Sequence, residues 1–152
     1  MAAPDFDTPY RGGFVGDEHH YALTVYFEDT DAAGVVYHAN FIKYLERARS
    51  DMLRAAGADH LASHREGAGV YVVAEVHIRY RAPAHLGDDL VILSRMIDLH
   101  AASVVIQQRV MHGQQLIAEA DVTAAFVGPT GRPQRQPKEW IDKFRDLSRS
   151  SQ

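Results

Sequence analysis

The sequence predicts an α+β fold in which a long central helix is wrapped by one curved, antiparallel, five-stranded sheet, with a short helix near the C-terminal end. Three observations predict it. A single long amphipathic helix pattern occupies residues 39–56. Strand-like stretches precede it at 21–27 and follow it at 70–81, 90–99, 103–111 and 116–127. The later stretches are joined by connections short enough only for antiparallel hairpins. A helix with one apolar stripe finds the broad partner it needs in such a sheet.

In chain order, residues 1–18 carry Pro4, Pro9, Gly12, Gly13 and Gly16 among acidic residues, with no periodic apolar face, and are expected to be a flexible leader. Tyr21, Leu23, Val25 and Phe27 then alternate with Ala22, Thr24 and Tyr26, the period of a strand with one buried face. In the helix pattern, Phe41, Tyr44, Leu45, Ala48, Met52 and Ala55 recur at helical spacing, and Gly57 sits where a left-handed cap ends a helix.

Val70, Val72, Ala74, Val76, Ile78 and Tyr80 mark a long strand stopped by Pro83. Turn chemistry at Gly87-Asp88-Asp89 leads into a strand that is apolar on both faces for much of its length. In the last strand Leu116, Ala118, Ala120, Val122, Ala124 and Phe126 share a face, and its small residues admit a helix at close approach. Gly128-Pro129 and the residues after it close the sheet, and Pro137 opens a short helix over 137–147. The expected organisation is a leader at 1–18, a single domain at 19–147 and a frayed tail at 148–152. Open sheet edges in such a fold invite pairing with a second subunit.

Composition narrows the function. With 152 residues, one core is expected, and hydrophobic and charged fractions of 46% and 24% are those of an ordinary globular chain. The absence of cysteine excludes disulfides, thiolate metal ligands and a cysteine nucleophile. A net charge of −4 with scattered basic residues leaves no footprint for nucleic acid. No apolar run approaches the ~20 residues of a membrane-spanning helix, and the first residues lack the pattern of a signal peptide, so the expectation is a cytoplasmic protein with no integral membrane association.

The chemistry concentrates in Asp29-Thr30-Asp31-Ala32-Ala33-Gly34-Val35-Val36-Tyr37-His38-Ala39-Asn40. This run leaves a strand and brings two carboxylates, a glycine, a tyrosine and a histidine to the start of the long helix. Backbone N–H groups there lack partners and carry partial positive charge. An acid beside a ready anion site suggests hydrolysis of an acyl group. A D-x-D-x-x-G alone is most often turn chemistry; the ordered run as a whole carries the argument.

Residues 26–41, continuing through Tyr44-Leu45-Glu46-Arg47-Ala48-Arg49, closely resemble the hot-dog-fold acyl-CoA thioesterases of the 4-hydroxybenzoyl-CoA thioesterase type, and among them the Tol-Pal-associated bacterial branch. Tyr80-Arg81-Ala82-Pro83-Ala84 and the following Gly87-Asp88 are similar to that branch too, so the resemblance spans 21–127. It implies hydrolysis of short-chain aliphatic or aromatic acyl-CoA thioesters, with Asp31 as the catalytic carboxylate. A carboxylate serves either as nucleophile or as the base that activates water. The resemblance also sets the thioester oxygen at the helix start, where the backbone N–H of His38 is a donor. The His38 side chain is expected to assist, the rival reading being that only its backbone matters. Gly34, Val36 and Tyr37 are the expected substrate contacts, with packing under the helix the favoured reading of Tyr37. No metal and no cofactor are expected, coenzyme A entering as part of the substrate. The implied partners are a second and further copies of the chain, as a dimer or dimer of dimers (a homotetramer), and an acyl carrier protein.

Other acids and histidines are weaker candidates. Glu46 is expected to form an ion pair with Arg47 or Arg49, Glu75 and His77 share a strand face, and His60 and His64 fall in loop-like sequence. Arg79, Arg81, Arg95, Arg109, Arg132 and Arg135 are candidate partners for the coenzyme A phosphates. The rivals to hydrolysis are a noncatalytic acyl-CoA or acyl-carrier binding module of envelope or lipid metabolism, and an acyl dehydratase.

Overall fold

A computed structural model describes residues 5–149. The first four residues of the expected leader and the last three of the expected tail lie outside the described residues. The element order is β1 (Gly13–Val15), β2 (Glu18–Thr24), α1 (His38–Ala55), α2 (His60–Arg65), β3 (Val70–Tyr80), β4 (Asp89–Leu99), β5 (Ser103–His112), β6 (Gln115–Val127) and α3 (Lys138–Arg149). The strands form one antiparallel sheet in the order β1-β2-β4-β5-β6-β3.

The sheet therefore has six strands among the described residues, where the sequence predicts five. The additional strand, β1, lies inside the stretch expected to be a leader. Val15 pairs with Glu18, so Gly16-Asp17 is a two-residue hairpin turn, and Gly16 takes φ +65°. Glycine here is the punctuation between two strands rather than a sign of missing structure. The other element absent from the sequence reading is α2, only six residues long and capped by Asp59, whose Oδ1 accepts the Ala62 N–H at 3.0 Å. One and a half turns are too short to display a period.

Helix α1 matches its predicted span within a residue at each end. Phe41, Tyr44, Leu45, Ala48, Met52 and Leu53 are buried along it. They face Leu90 and Ile92 of β4, Ile106 and Val110 of β5 and the alanine-rich face of β6, where Ala118, Ala120 and Ala124 are buried. Between helix and sheet lies a polar knot: Arg49 Nη1 donates to Gln108 Oε1 at 3.0 Å, while Gln108 Nε2 donates to Ser94 Oγ and to the Leu45 carbonyl, both at 3.0 Å. Burial pulls the Arg49 guanidinium below its usual range. Helix α3 closes the far end through Trp140 and Phe144, which pack with Leu53, Ala56 and Phe126.

Strand β3 is a sheet edge, hydrogen-bonded only to β6 within the chain. No helix among the described residues is long and apolar enough to cross a membrane.

Candidate active site

The site grows out of the connection from β2 to α1. Leaving β2, the chain is held to the loop before β4: the Val25 N–H donates to the Asp88 carbonyl and the Gly87 N–H to that of Val25, both at 2.9 Å. A single 3₁₀ turn, Phe27–Asp29, follows, with Asp29 Oδ2 accepting the Tyr26 N–H at 2.9 Å. The chain then doubles back on itself through a bridge between Thr30 and Val36.

Asp31 sits at the bend of this loop. Its N–H donates to the Val35 carbonyl at 2.9 Å, and its own carbonyl accepts the Gly34 N–H at 3.1 Å. Closing so tight a loop requires a left-handed residue, and Gly34 supplies φ +79°. The carboxylate is oriented from one side only. Oδ1 accepts the N–H of Ala33 at 2.9 Å and that of Val35 at 3.4 Å, whereas Oδ2 has no hydrogen-bond partner among the described residues. The residue is exposed in the single chain. One oxygen is thus anchored and the other is presented.

After Val36 the chain enters α1, and the same loop is tied to the helix start. The Tyr37 N–H donates to the Asp29 carbonyl at 3.0 Å, and Asn40 Nδ2 donates to that carbonyl at 2.8 Å. Tyr37 is the cap residue in extended conformation, φ −63° and ψ 133°, and no side chain caps the helix. Among the described residues the backbone N–H groups of His38 and Ala39 have no acceptor, so α1 begins with donors to spare. Strand β3 reaches the same place: the Tyr80 hydroxyl donates to the His38 carbonyl at 3.0 Å, and its ring stands edge-on to that of His38 at 6.1 Å.

The remaining expected contacts divide. Gly34 shapes the loop. Val36 turns inward, 6% exposed in the core, and its N–H donates to the Ala84 carbonyl at 2.8 Å. Tyr37 does not pack beneath the helix; it is 49% exposed, with its ring 4.5 Å from that of His38. Beneath the loop Tyr44 is buried, and its hydroxyl pKa is pushed up, first by burial and then by the negative charge of Asp29.

The competing residues lie elsewhere. Glu46 accepts the Ser50 hydroxyl at 2.8 Å instead of pairing with Arg47 or Arg49, because Arg49 is turned inward to Gln108. His77 and Arg79 line a hollow on the open face of the sheet with Gln107, Glu119 and Asp121. His19 is fully buried, and His60 and His64 belong to α2. Of the candidate arginines, Arg81 pairs with Glu119 at 2.6 Å and Arg109 with Glu18 at 2.8 Å. Among the described residues no three His, Asp or Glu side chains converge as metal ligands. Two residues tied into the site, Asn40 and Tyr80, are not among the site residues expected from the sequence. Asn40 stands in the motif itself, one turn past the acid's loop, while Tyr80 is brought in only by the sheet.

Known proteins share this architecture. Residues 25–146 match the thioesterase-like superfamily. The acyl-CoA thioester hydrolase YbgC of Escherichia coli O6:H1 is 37% identical over 125 residues, covering 81% of this chain and 92% of that protein. Among solved structures, a 1,4-dihydroxy-2-naphthoyl-CoA thioesterase from Synechocystis superposes with a TM-score of 0.79 at 25% identity, over 86% of this chain and 98% of that one. A thioesterase from Thermus thermophilus, complexed with coenzyme A and Zn, gives a TM-score of 0.74 at 26% identity over 84% and 92% of the two chains.

Proposed function

This chain belongs to the thioesterase-like superfamily and is an acyl-CoA thioester hydrolase, and we propose that it works through Asp31 and the free backbone donors at the start of α1. The observation that carries this reading is the single loop that holds both: Asp31 Oδ1 is anchored, Oδ2 is unengaged, and the Tyr37 N–H closes the loop onto a helix whose next two N–H groups are unpaired among the described residues.

In the proposed reaction the thioester carbonyl oxygen accepts the His38 N–H. Negative charge develops on that oxygen as the tetrahedral intermediate forms, and a fixed dipole stabilises it without reorganising. Such a donor is typically worth about 2.7–4 kcal/mol in the transition state. Asp31 Oδ2 takes a proton from water as the water oxygen bonds to the carbonyl carbon. Collapse of the intermediate breaks the C–S bond, and the proton passes to the departing thiolate, leaving free acid and coenzyme A. The direct route, in which Oδ2 itself attacks the carbon and forms an acyl-aspartyl anhydride, uses the same presented oxygen. A single turnover in H₂¹⁸O that leaves label in Asp31 establishes the anhydride route, through attack of water on its protein carbonyl. Label in the product acid alone is the outcome of the base route and equally of anhydride hydrolysis at the acyl carbonyl. The His38 side chain is assigned an assisting role beside the carbonyl.

The finer reading extends further. The Asp-x-Asp-x-x-Gly run with Tyr37-His38 favours the 4-hydroxybenzoyl-CoA thioesterase type and its Tol-Pal-associated branch. The acyl group is short aliphatic or aromatic, consistent with the aromatic rings of Tyr37 and Tyr80 beside His38 and of Phe41 packed against Tyr80. The working assembly is a dimer formed along the β3 edge, and further a dimer of dimers. A cytoplasmic location, a contact with an acyl carrier protein, and hydrolysis without metal or cofactor belong to the same proposal.

Thiol release measured over a panel of acyl-CoAs, from acetyl to hydroxybenzoyl, tests it. Turnover of at least one short or aromatic thioester is the expected result. Saturable binding of the whole panel without thiol release would instead identify a binding module.

A further inference from the structure

We propose that Asn40 is a positioning residue for the hydrolysis: its side-chain amide locks the loop carrying Asp31 against the first turn of α1. The inference rests on the assignment of Asp31 made above. The Asp29 carbonyl oxygen accepts two hydrogen bonds, from the Tyr37 N–H at 3.0 Å and from Asn40 Nδ2 at 2.8 Å. A carbonyl oxygen has two lone pairs, so both are used and the peptide after Asp29 is fixed in two directions. One bond alone would leave a hinge between the loop and the helix.

Both donors belong to the helix start. The Asn40 N–H itself donates to the Tyr37 carbonyl at 2.8 Å, which sets the turn from which the side chain reaches back. The other end of the clamp is equally firm, since Asp29 Oδ2 accepts the Tyr26 N–H at 2.9 Å. Asp31 follows two residues later, and the next helical N–H groups are those proposed to hold the oxyanion. Asn40 therefore sets the separation of acid and oxyanion donors without itself touching the reacting atoms. The side-chain chemistry is restrictive. Alanine has no donor, serine donates from a shorter arm, and aspartate would turn a carboxylate oxygen toward the Asp29 carbonyl. Misplacement of catalytic groups by about 1 Å costs on the order of 10²-fold in rate.

The test compares Asn40→Ala, Asn40→Ser, Asp31→Asn and the double variant Asp31→Asn/Asn40→Ala, with thiol release from the best acyl-CoA as readout and thermal melting as a fold control. Asn40→Ala is expected to lower kcat about 10- to 100-fold with KM within about twofold and a retained melting transition. Asn40→Ser is expected to recover part of the loss. In the Asp31→Asn background, Asn40→Ala is expected to add less than about threefold, because there is no longer an acid to position. A merely structural residue would multiply its effect onto Asp31→Asn unchanged. If Asn40→Ala does not fold, Asn40→Ser alone decides, expected at a several-fold lower kcat with KM unchanged. Parental kcat in the folded Asn40 variants, or full additivity with Asp31→Asn, overturns the inference while leaving Asp31 in place. Parental activity in Asp31→Asn removes the underlying assignment and the inference with it.

Discussion

His38 offers the site two different groups, a backbone N–H and an imidazole, and position in the helix lets them be separated. It is the first helical residue, preceded by Tyr37 in a conformation that the residue before a proline readily adopts. Proline at position 38 therefore keeps the helix start and deletes the N–H, while alanine deletes the ring and keeps the N–H. The account predicts that His38→Pro loses about 10²–10³-fold in kcat, the usual cost of an oxyanion donor, and that His38→Ala remains at least about tenfold more active than His38→Pro. Equal turnover of the two folded variants in a thiol-release assay would take the oxyanion role away from the backbone. At this scale the sequence was informative about type and less so about arrangement. Gly34 could be read as a backbone device and has φ +79°, and the run itself singles out Asp31, the acid of the proposed reaction. That Oδ1 is occupied by the Ala33 and Val35 N–H groups follows from the geometry of the bend, which no residue identity reveals. Tyr80 is joined to His38 across 42 residues of chain, and only the sheet register brings it there.

Among the elements, the N-terminal hairpin is fastened to α1 by a partly buried polar cluster. His19 of β2 lies 2.7 Å from Asp51 Oδ2, the same oxygen accepts the Gly12 N–H at 2.9 Å, and Arg54 donates to Oδ1 at 3.0 Å. Burial lowers the His19 pKa despite the neighbouring carboxylate, and its Nδ1 has no partner among the described residues. For Asp51, burial alone would raise the pKa, but the bonds from Arg54, His19 and Gly12 outweigh it and the net shift is downward. The signs agree. A histidine depressed below 6.5 contributes stability that is complete above that pH and is lost as pH falls through its folded value. Asp51 contributes stability above 3.8 that is lost only in stronger acid. Melting temperature is accordingly predicted to fall as pH drops below 6.5, and His19→Gln, which keeps a donor toward Asp51 but cannot ionise, should flatten that fall. An unchanged slope in His19→Gln would show that other groups carry the pH dependence. Legibility among the elements followed length. Helix α1 repeats its apolar stripe over several turns and could be read closely, as could the long strands. Strand β1 has three residues and α2 six, too few for any period to emerge. The hairpin could still have been found from Gly16-Asp17, a two-residue turn signal that the proline- and glycine-rich surroundings obscured.

For the whole molecule the outstanding demand is the edge of β3. This strand runs for 11 residues with its outer side unpaired in the chain, and Val72 and Val73 on it are 42% and 49% exposed. Exposed valines on a long open edge are what a second copy would cover, since an uncovered edge of this kind invites aggregation. Val73→Glu places a buried charge in such a pairing and is predicted to shift the protein toward monomer in sedimentation analysis and to lower activity with it. A monomeric parent, or an unaltered assembly in Val73→Glu, would exclude pairing through this edge. The fold class was visible from alternation and turn residues because a single sheet around one helix leaves few other packings. Which strand forms the open edge was not, because exposure of Val72 and Val73 exists only once β3 has been placed there.

The central claim is that one aspartate, held opposite free helix donors, performs the hydrolysis. Its most direct measurement is kcat for thiol release by Asp31→Asn, an isosteric change that removes the charge, on protein whose melting and assembly match the parent. The account predicts a loss of about 10²–10⁴-fold, and turnover within about tenfold of the parent would contradict it.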